Sequence, residues 1–473
     1  MEKTTLSTMP STRKLDPVFG YDMATLDEIL EARERRARAQ HALLASHGHP
    51  VITLSLNIPG PCKRFPLAEK TFNEAKSLML RKLARCSIPV LGSWEECEMG
   101  GSALCLAAGT GDALRLKRLL VAIEESLPLA RIFDMDVLDA TGQSISRRDL
   151  GYPKRRCLLC QKDAALCARS CAHPPELVFR HVHTLMEEYF RNKTADRVAG
   201  LAVKSLLYEV CVTPKPGLVD RNNSGSHHDM DMFSFLGSAS VLFPYFREAT
   251  LLGLASANIS PDRLFAHLRS LGMEAEDSMF AETHGVNTHK GAIFLFGILC
   301  AATGRVHALG LAKVPENICQ TVALMTRTLA GECREIAQRA HPSTNGEALI
   351  QRNNILGVRG EVMAGLPSVR TYSLPLLETL LARNCSPDRA GAAALLNLVA
   401  NVTDTNVIRR SSLARAGAIR KMVRELLDRE HIPDEEALLD LDDMFIRENI
   451  SPGGCADLLG VTFFLHFLGE SPG

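Results

Sequence analysis

The chain of 473 residues balances 54 Lys and Arg against 54 Asp and Glu, carries 14 Cys, and is 46% hydrophobic with one Trp. At roughly 100–200 residues per domain this length predicts two or three domains with real cores, and a zero net charge argues against a general nucleic-acid binder while leaving local sites for small anions open. Cysteine is far sparser than in disulfide scaffolds, Met1 to Gly20 lacks the apolar core of a secretory signal, and the apolar runs at residues 291–302 and 461–468 are shorter than the ~20 residues of a spanning helix, so a cytoplasmic protein with mostly free thiols and no membrane contact is expected.

In chain order, residues 25–46 are rich in Ala, Leu, Glu and Arg and free of Pro and Gly, which predicts a helix. Residues 51–58 alternate as a half-buried strand does and stop at the breaker Pro59-Gly60-Pro61. Residues 112–126 have helical spacing, residues 130–138 alternate again, and Asp139 to Gly142 closes a hairpin. The first part, residues 1–183, therefore reads as an α+β domain. Beyond Thr194 come Ala/Leu-rich windows at 195–212, 230–256, 262–279, 289–302, 316–338, 369–382, 387–401, 413–428 and 434–448. Few strands and no fixed-period repeat appear among them, so residues 184–473 read as a larger all-α domain.

Cys157-Leu-Leu-Cys160, Cys167, Cys171 and His173 fall close together beside Lys154-Arg-Arg156. A C-x-x-C pair presents two thiolates to one zinc, and either Cys171 or His173 completes a tetrahedron with Cys167; the plainer alternative is a reduced Cys-rich turn. On the strand at 130–138, Asp134 and Asp136 share a face, from which both reach one Mg²⁺ on a phosphate-rich substrate. Arg131, Arg147, Arg148, Arg155 and Arg156 supply the cations such a substrate needs, against the plainer reading of a solvated acidic edge.

In the second domain Thr213-Pro-Lys-Pro-Gly-Leu-Val-Asp-Arg221 is a rigid loop bearing Lys215, Asp220 and Arg221. His227, His228, Asp229 and Asp231 precede a helix, and His284-Gly-Val-Asn-Thr-His-Lys290 places Asn287, His289 and Lys290 at the start of another, where free N–H groups favour an anion. Arg359-Gly-Glu361, Arg370, Asp404-Thr-Asn406 and Ser451-Pro-Gly-Gly-Cys-Ala-Asp457 complete the set. Capping explains Asp404 and Ser451 singly, but the set together points to an enzyme binding phosphate or nucleotide without a Walker or dinucleotide fingerprint.

On these motifs the chain resembles a fusion of two families. Leu56-Asn-Ile-Pro-Gly-Pro61, Arg131-Ile-Phe-Asp-Met-Asp-Val137, Ser146 to Pro153, Arg156-Cys-Leu-Leu-Cys160, Cys167-Ala-Arg-Ser170 and His173 resemble apo-citrate lyase phosphoribosyl-dephospho-CoA transferase, over roughly the first 180 residues. Thr213 to Arg221, His227-x-Asp-Met-Asp231, Gly285-Val-Asn-Thr-His-Lys-Gly291, Arg359-Gly-Glu361 to Val369, Asp404-Thr-Asn406 and Gly453-Gly-Cys-Ala-Asp457 resemble triphosphoribosyl-dephospho-CoA synthase. His228 stands where that pattern carries Lys or Thr, and Cys455 where Ser is usual. Cys171 is extra to the transferase pattern, so the resemblance favours a Cys₃His zinc set of Cys157, Cys160, Cys167 and His173.

The resemblance implies that the second domain joins ATP and 3′-dephospho-CoA with release of adenine, through an oxocarbenium-like transition state. It also implies that the first domain moves phosphoribosyl-dephospho-CoA onto a serine of the acyl carrier (gamma) subunit of citrate lyase and releases pyrophosphate. Lys215, Arg221, His289 and Lys290 are expected on phosphates, with His227, Asn287, Arg359 and Arg370 as further substrate contacts. Asp229 and Asp231 are expected as a Mg²⁺ or base pair, and Asp220, Glu361, Asp404 and Asp457 as candidates for the general acid. In the first domain Asp134 and Asp136 take the Mg²⁺, with Arg131, Arg147, Arg148 and Arg156 on the phosphates. Alternatives are the same chemistry on the carrier of malonate decarboxylase, a zinc-stabilised docking module without catalysis as the first domain, and an α-helical nucleotide hydrolase as the second.

Overall fold

Thr25 caps the first helix, α1 (Leu26–His47), where its hydroxyl accepts from the Glu28 N–H and the Glu28 carboxylate accepts from the Thr25 N–H. The computed structural model describes residues 14–160 and 162–470, so most of the Met1 to Gly20 stretch read for targeting lies outside the described residues. The chain divides into two units, residues 1–190 and 191–473.

In the first unit β1 (Val51–Leu56), β2 (Val90–Glu98), β3 (Gly101–Ala108), β4 (Phe133–Leu138) and β5 (Ser144–Ile145) form one antiparallel sheet in the order β2-β3-β1-β4-β5. Helices α2 (Pro66–Arg85) and α3 (Ala113–Glu124) bring Phe72, Met79, Leu116 and Leu120 against Ile52, Leu54, Leu104 and Leu106. The other face packs Val51, Cys105 and Ala107 against Ala39, Leu43 and Leu44 of α1. β1 is thus covered on both sides, although its alternation predicts one exposed face. Thr53, the polar residue in that pattern, is buried and accepts from Gln40 Nε2 at 2.7 Å.

The sequence reading misses α2, β2 and β3. β2 is an edge strand carrying Glu95, Glu96 and Glu98, charges that weaken the strand signal and protect the edge from pairing. The strand expected from residue 130 begins at Phe133, because Pro128 opens a 3₁₀ turn that runs to Ile132. Beyond the sheet come a short helix, α4 (Ala164–Arg169), and the long α5 (Pro175–Cys211).

α5 carries Phe179, Val182 and Met186 into the first core and Val198, Ala199, Ala202 and Leu206 into the second. The expected boundary at residue 183 falls within this helix. Its first half is marked by His, Glu and Arg in place of Ala and Leu, which hides the helix start from a composition reading.

The second unit has no strand among the described residues. The window at 230–256 divides into α6 (Met232–Val241) and α7 (Phe243–Leu254), because Pro244 starts a new helix. α8 (Pro261–Glu282) and α9 (Lys290–Ala308) follow, and the window at 316–338 splits into α10 (Pro315–Thr326) and α11 (Leu329–Gln338). Then come α12 (Asn345–Asn353), α13 (Val358–Met363), α14 (Leu374–Ala382), α15 (Pro387–Asn401), α16 (Thr405–Arg410), α17 (Leu413–Glu430), α18 (Glu435–Arg447) and α19 (Gly453–Glu470).

α9 and α19 form the centre of this unit. Ile293, Phe296 and Leu299 of α9 and Leu459, Phe463 and Phe464 of α19 are each at most 1% exposed, and burying each such side chain contributes about 1.5–3 kcal/mol. α9 continues past the expected residue 302 and reaches the length and apolarity of a membrane-spanning helix, yet most of it is buried in this core. The placement of these two helices brings their N-termini to one opening.

Candidate functional site

The start of α9 and the start of α19 line the same cavity, of about 850 Å³. Unpaired N–H groups at helix starts make such a place favourable for anions. Lys215, His227, Asp229, Asn287, His289, Lys290, Glu361, Asp404 and Asp457, all marked in the sequence, line this cavity, whereas Asp220, Arg221, Asp231, Arg359 and Arg370 do not.

Asp457 stands one turn into α19, with its carboxyl open to the cavity but deep in the protein. Burial, then the nearby Glu209 and Asp404, hold its pKa well above the ordinary carboxylate range. Its environment therefore favours the protonated form over the carboxylate. Gly291 makes room for it, since a Cβ there would lie 2.0 Å from Asp457 Oδ2.

Asp404 is buried, and both its oxygens serve backbone: Oδ1 accepts from the N–H groups of Asn406 at 2.7 Å and Val407 at 3.3 Å, and Oδ2 from that of Cys455 at 2.9 Å. One carboxyl thus ties the start of α16 to the start of α19. Burial raises its pKa against those hydrogen bonds. Glu361 accepts from Ser368 Oγ at 2.6 Å and lines the facing wall.

Lys215, expected on phosphate, is fully buried with its ammonium 2.5 Å from Glu209 Oε1 and 2.8 Å from the Glu209 carbonyl. Its charge is matched inside the protein, so it forms the cavity floor and does not offer a free cation. Asp220 also works within the loop: Oδ2 accepts from the Lys215 N–H and Oδ1 from those of Asn222 and Asn223. Arg221 turns away to Asp388 at 2.7 Å.

Asp229 reaches the cavity but Asp231 does not. The loop runs past Asp229, and Asp231 is the N-cap of α6, accepting from the Ser234 N–H at 2.9 Å and its hydroxyl at 2.8 Å. Of the expected Mg²⁺ pair, Asp229 lines the cavity while Asp231 Oδ1 is engaged in capping. Arg359 sits near Cys333 and Glu347, and Arg370 is exposed near Cys319.

His289, also expected to meet phosphate as a cation, is neutral. Thr288 donates to Ser238 Oγ at 2.8 Å, and Ser238 Oγ hydrogen-bonds His289 Nδ1 at 2.7 Å. That buried Nε2 has no partner among the described residues, and burial followed by Lys215 lowers the pKa to about 3. His289 thus offers the cavity one unused ring nitrogen on a neutral imidazole. Lys290, in contrast, is exposed and pairs with Glu276 at 2.6 Å.

His227 is neutral for a similar reason. Arg410 Nη2, which can only donate, lies 3.1 Å from Nδ1, so the proton sits on Nε2 and is donated to Ser451 Oγ at 2.9 Å. Burial, then Arg410, lowers the pKa to about 4 from 6.5. Because the folded value is depressed, the contribution of this group to stability is intact above pH 6.5 and falls by on the order of 3 kcal/mol as pH drops through 4. Urea unfolding followed by far-UV circular dichroism is expected to show a shallower loss of stability between pH 7 and pH 4 in His227→Gln than in the native chain.

In the first unit Arg131, Arg147, Arg155 and Arg156 line a cavity of about 1020 Å³, while Arg148 is exposed in a 3₁₀ turn outside it. Glu124, missed in the sequence, lies at the cavity wall: it accepts from Arg155, from Arg147 Nη1 at 3.3 Å and from the Met135 N–H at 3.1 Å, and burial raises its pKa. Asp134 and Asp136 do share a face of β4, opposite Phe133, Met135 and Val137. Neither lines the arginine cavity, and Asp134 meets its wall at 3.3 Å from Arg155 Nη1. Burial, then Asp136, raises the Asp134 pKa. The ligating atoms of Cys157, Cys160, Cys167 and His173 do come together, within 4.8 Å of one another.

Glu209, Glu124, Arg409 and Arg410 are cavity-lining positions that the sequence reading passes over. The first two sit inside ordinary helical windows, where a Glu has no distinguishing neighbour in sequence; Arg409-Arg410, only a few residues after Asp404-Thr-Asn406, was the available signal.

Residues 195–473 match the family described as ATP:dephospho-CoA triphosphoribosyl transferase, and residues 24–189 the family described as apo-citrate lyase phosphoribosyl-dephospho-CoA transferase. Protein CitXG of Haemophilus influenzae is 35% identical over 459 residues, 94% of this chain and 97% of that protein. Protein CitXG of Leuconostoc mesenteroides subsp. cremoris is 32% identical over 470 residues, 95% of this chain and 98% of that protein. A 2-(5''-triphosphoribosyl)-3'-dephosphocoenzyme-A synthase of Haemophilus ducreyi is 34% identical over 330 residues, 66% of this chain and 99% of that protein.

Proposed function

We infer the two reactions from the premise that this chain belongs to the CitXG family of transferases, in which a citrate lyase transferase region precedes a triphosphoribosyl-dephospho-CoA synthase region. The second unit makes 2′-(5″-triphosphoribosyl)-3′-dephospho-CoA from ATP and 3′-dephospho-CoA and releases adenine. The observation that supports this reading is the buried Asp457 carboxyl, raised in pKa by its surroundings, in the cavity that the starts of α9 and α19 line together. Breaking the bond between adenine and ribose leaves negative charge on the base and positive charge on the sugar, so a buried acid at the base and an anion-favouring surface at the triphosphate are the two parts required.

Asp457 gives its proton to the departing adenine, and His289, in the tautomer with its proton on Nε2, donates a hydrogen bond without adding charge. Glu361 takes the proton of the attacking 2′-hydroxyl. The triphosphate lies toward Lys290, Arg409 and the α9 and α19 starts. A Mg²⁺ ion, where it accompanies the triphosphate, has Asp229 as its carboxylate donor. Magnesium neutralises phosphate charge; every proton movement belongs to the side chains named.

In the first unit the arginine cavity receives the pyrophosphate end of that product, and the phosphoribosyl group passes to a serine of the apo acyl carrier subunit of citrate lyase. The arginines supply leaving-group stabilisation. Incubating the full chain with ATP, Mg²⁺, dephospho-CoA and the carrier, with mass spectrometry of the carrier and chromatography of the released base, tests both steps. Free adenine and a carrier heavier by one phosphoribosyl-dephospho-CoA are expected. ADP or phosphate in place of adenine would sink the synthase reading, and modification of a malonate decarboxylase carrier in preference to that of citrate lyase would redirect the partner.

A further inference from the structure

Cys157, Cys160, Cys167 and His173 stand beside the arginine cavity of the first unit, and no step proposed above uses them. Cys160 Sγ lies 3.4 Å from Cys167 Sγ and 3.2 Å from His173 Nε2, and all four ligating atoms fall within 4.8 Å of one another. A zinc tetrahedron with bonds of about 2.3 Å to sulfur and about 2.0 Å to nitrogen has edges of roughly 3.5–3.8 Å. The cluster has that size and that donor chemistry.

The backbone is folded to present these atoms. The Cys157 N–H donates to the Lys162 carbonyl at 2.7 Å, closing a tight turn that holds Cys157 and Cys160. Asp163 then caps α4, accepting from the Ala165 N–H at 2.8 Å, which sets Cys167. The Ala172 N–H returns to the Cys167 carbonyl at 3.1 Å and delivers His173 just ahead of α5. Cys171 lies outside the set: it is exposed, in a left-handed turn, with Sγ near the Ala168 carbonyl.

We propose that Cys157, Cys160, Cys167 and His173 bind one Zn²⁺, and that this zinc fixes the wall of the arginine cavity. The wall needs such a fixture. Among the described residues of the 153–173 segment, only Leu158 packs against the main core of this unit, and Leu166 is 59% exposed. A segment with so little apolar burial is held by cross-links or metal in small folds. The segment also carries what the cavity depends on: Arg131 Nη2 donates to the carbonyls of Arg156 at 3.2 Å and Cys157 at 3.1 Å, so the position of one ligand residue orients an arginine. The metal site stands on its own geometry, while its effect on transfer rests on the proposed reaction of this unit.

The test uses the full chain purified without chelator, with metal content read by inductively coupled plasma mass spectrometry. One zinc per chain is expected, lost in Cys160→Ser and His173→Ala and kept in Cys171→Ser. Each lost ligand weakens binding by at least roughly tenfold, the scale of outer-shell losses alone. Cobalt exchanged into the native chain is expected to give thiolate charge-transfer bands and intense tetrahedral d–d bands, a readout independent of whether the variants fold. A native chain without bound metal, equal zinc in Cys160→Ser, or a Cys160–Cys167 disulfide in the peptide map overturns the site. Zinc removal with a chelator, followed by its dialysis and assay in Mg²⁺, is expected to lower carrier modification from preformed triphosphoribosyl-dephospho-CoA at least roughly tenfold and to leave adenine release unchanged. Modification at full rate after zinc removal overturns the wall assignment. A native, zinc-loaded chain that never modifies the carrier strikes the transfer reading and not the metal site.

Discussion

Asp457→Asn is expected to slow adenine release by roughly 10²–10⁴-fold, the range that a positioned general acid supplies. The amide keeps the shape of the carboxyl and fits the space that Gly291 leaves, but it has no acidic proton to give. Loss of fold does not explain such a result. The Asp457 pKa is raised in the folded chain, so its stabilising contribution belongs to acid solution and is lost as pH rises through the folded value. At pH 8 the Asn variant is therefore expected to be at least as stable as the native chain. Adenine release measured by chromatography from pH 6 to 9, beside thermal unfolding, separates the two effects. Undiminished release with the fold intact would remove Asp457 from the reaction.

The second large effect concerns stability. Lys215→Met leaves Glu209 buried without its partner, and breaking such a pair costs about 3–5 kcal/mol, with Glu209 already raised in pKa by burial. The double variant Glu209→Leu with Lys215→Met is expected to recover most of this loss, because the partners then leave together and apolar groups take their volume. Thermal unfolding of the two single variants and the double variant measures the coupling. If Lys215 were instead a free phosphate cation, Lys215→Met would unfold like the native chain and the cycle would show no coupling.

These two residues show what sequence reveals and what it hides. Asp457 was legible because Gly453-Gly-Cys-Ala-Asp457 is an unusual polar entry to an apolar helix, and such entries mark helix starts. Asp404 was legible for the same reason, although its role came out as a tie between two helices and not as an acid. Lys215 was noticed for the right loop and given the wrong work, since the partner that consumes its charge is in the preceding helix. Glu209 and Glu187 lie on the same α5, one 7% and the other 55% exposed at the side chain; nothing local in sequence tells them apart. Asp231 illustrates the opposite error. Its i, i+2 relation to Asp229 suggests a pair, but an Asp directly before a helix, three residues ahead of Ser234, is also a capping position, and capping won.

The fold follows the same division. Helices with strong apolar periodicity, such as α15 at Pro387–Asn401, were read to the residue. β2, with Glu on an exposed edge, was not read at all. The expected boundary at residue 183 lies close to the division at residue 190, and one uninterrupted helix runs through both.

Gly291 has a genetic corollary. The Asp457 carboxyl occupies the space where a side chain at position 291 would begin, so every other residue type brings a Cβ to within 2.0 Å of Asp457 Oδ2 and displaces the carboxyl. Large and small, charged and apolar replacements should therefore score alike, with a uniform null phenotype for the synthase step. A pattern graded by size or charge would mean that the neighbouring helix yields, and that selection acts at this position on chemistry other than room for a carboxyl.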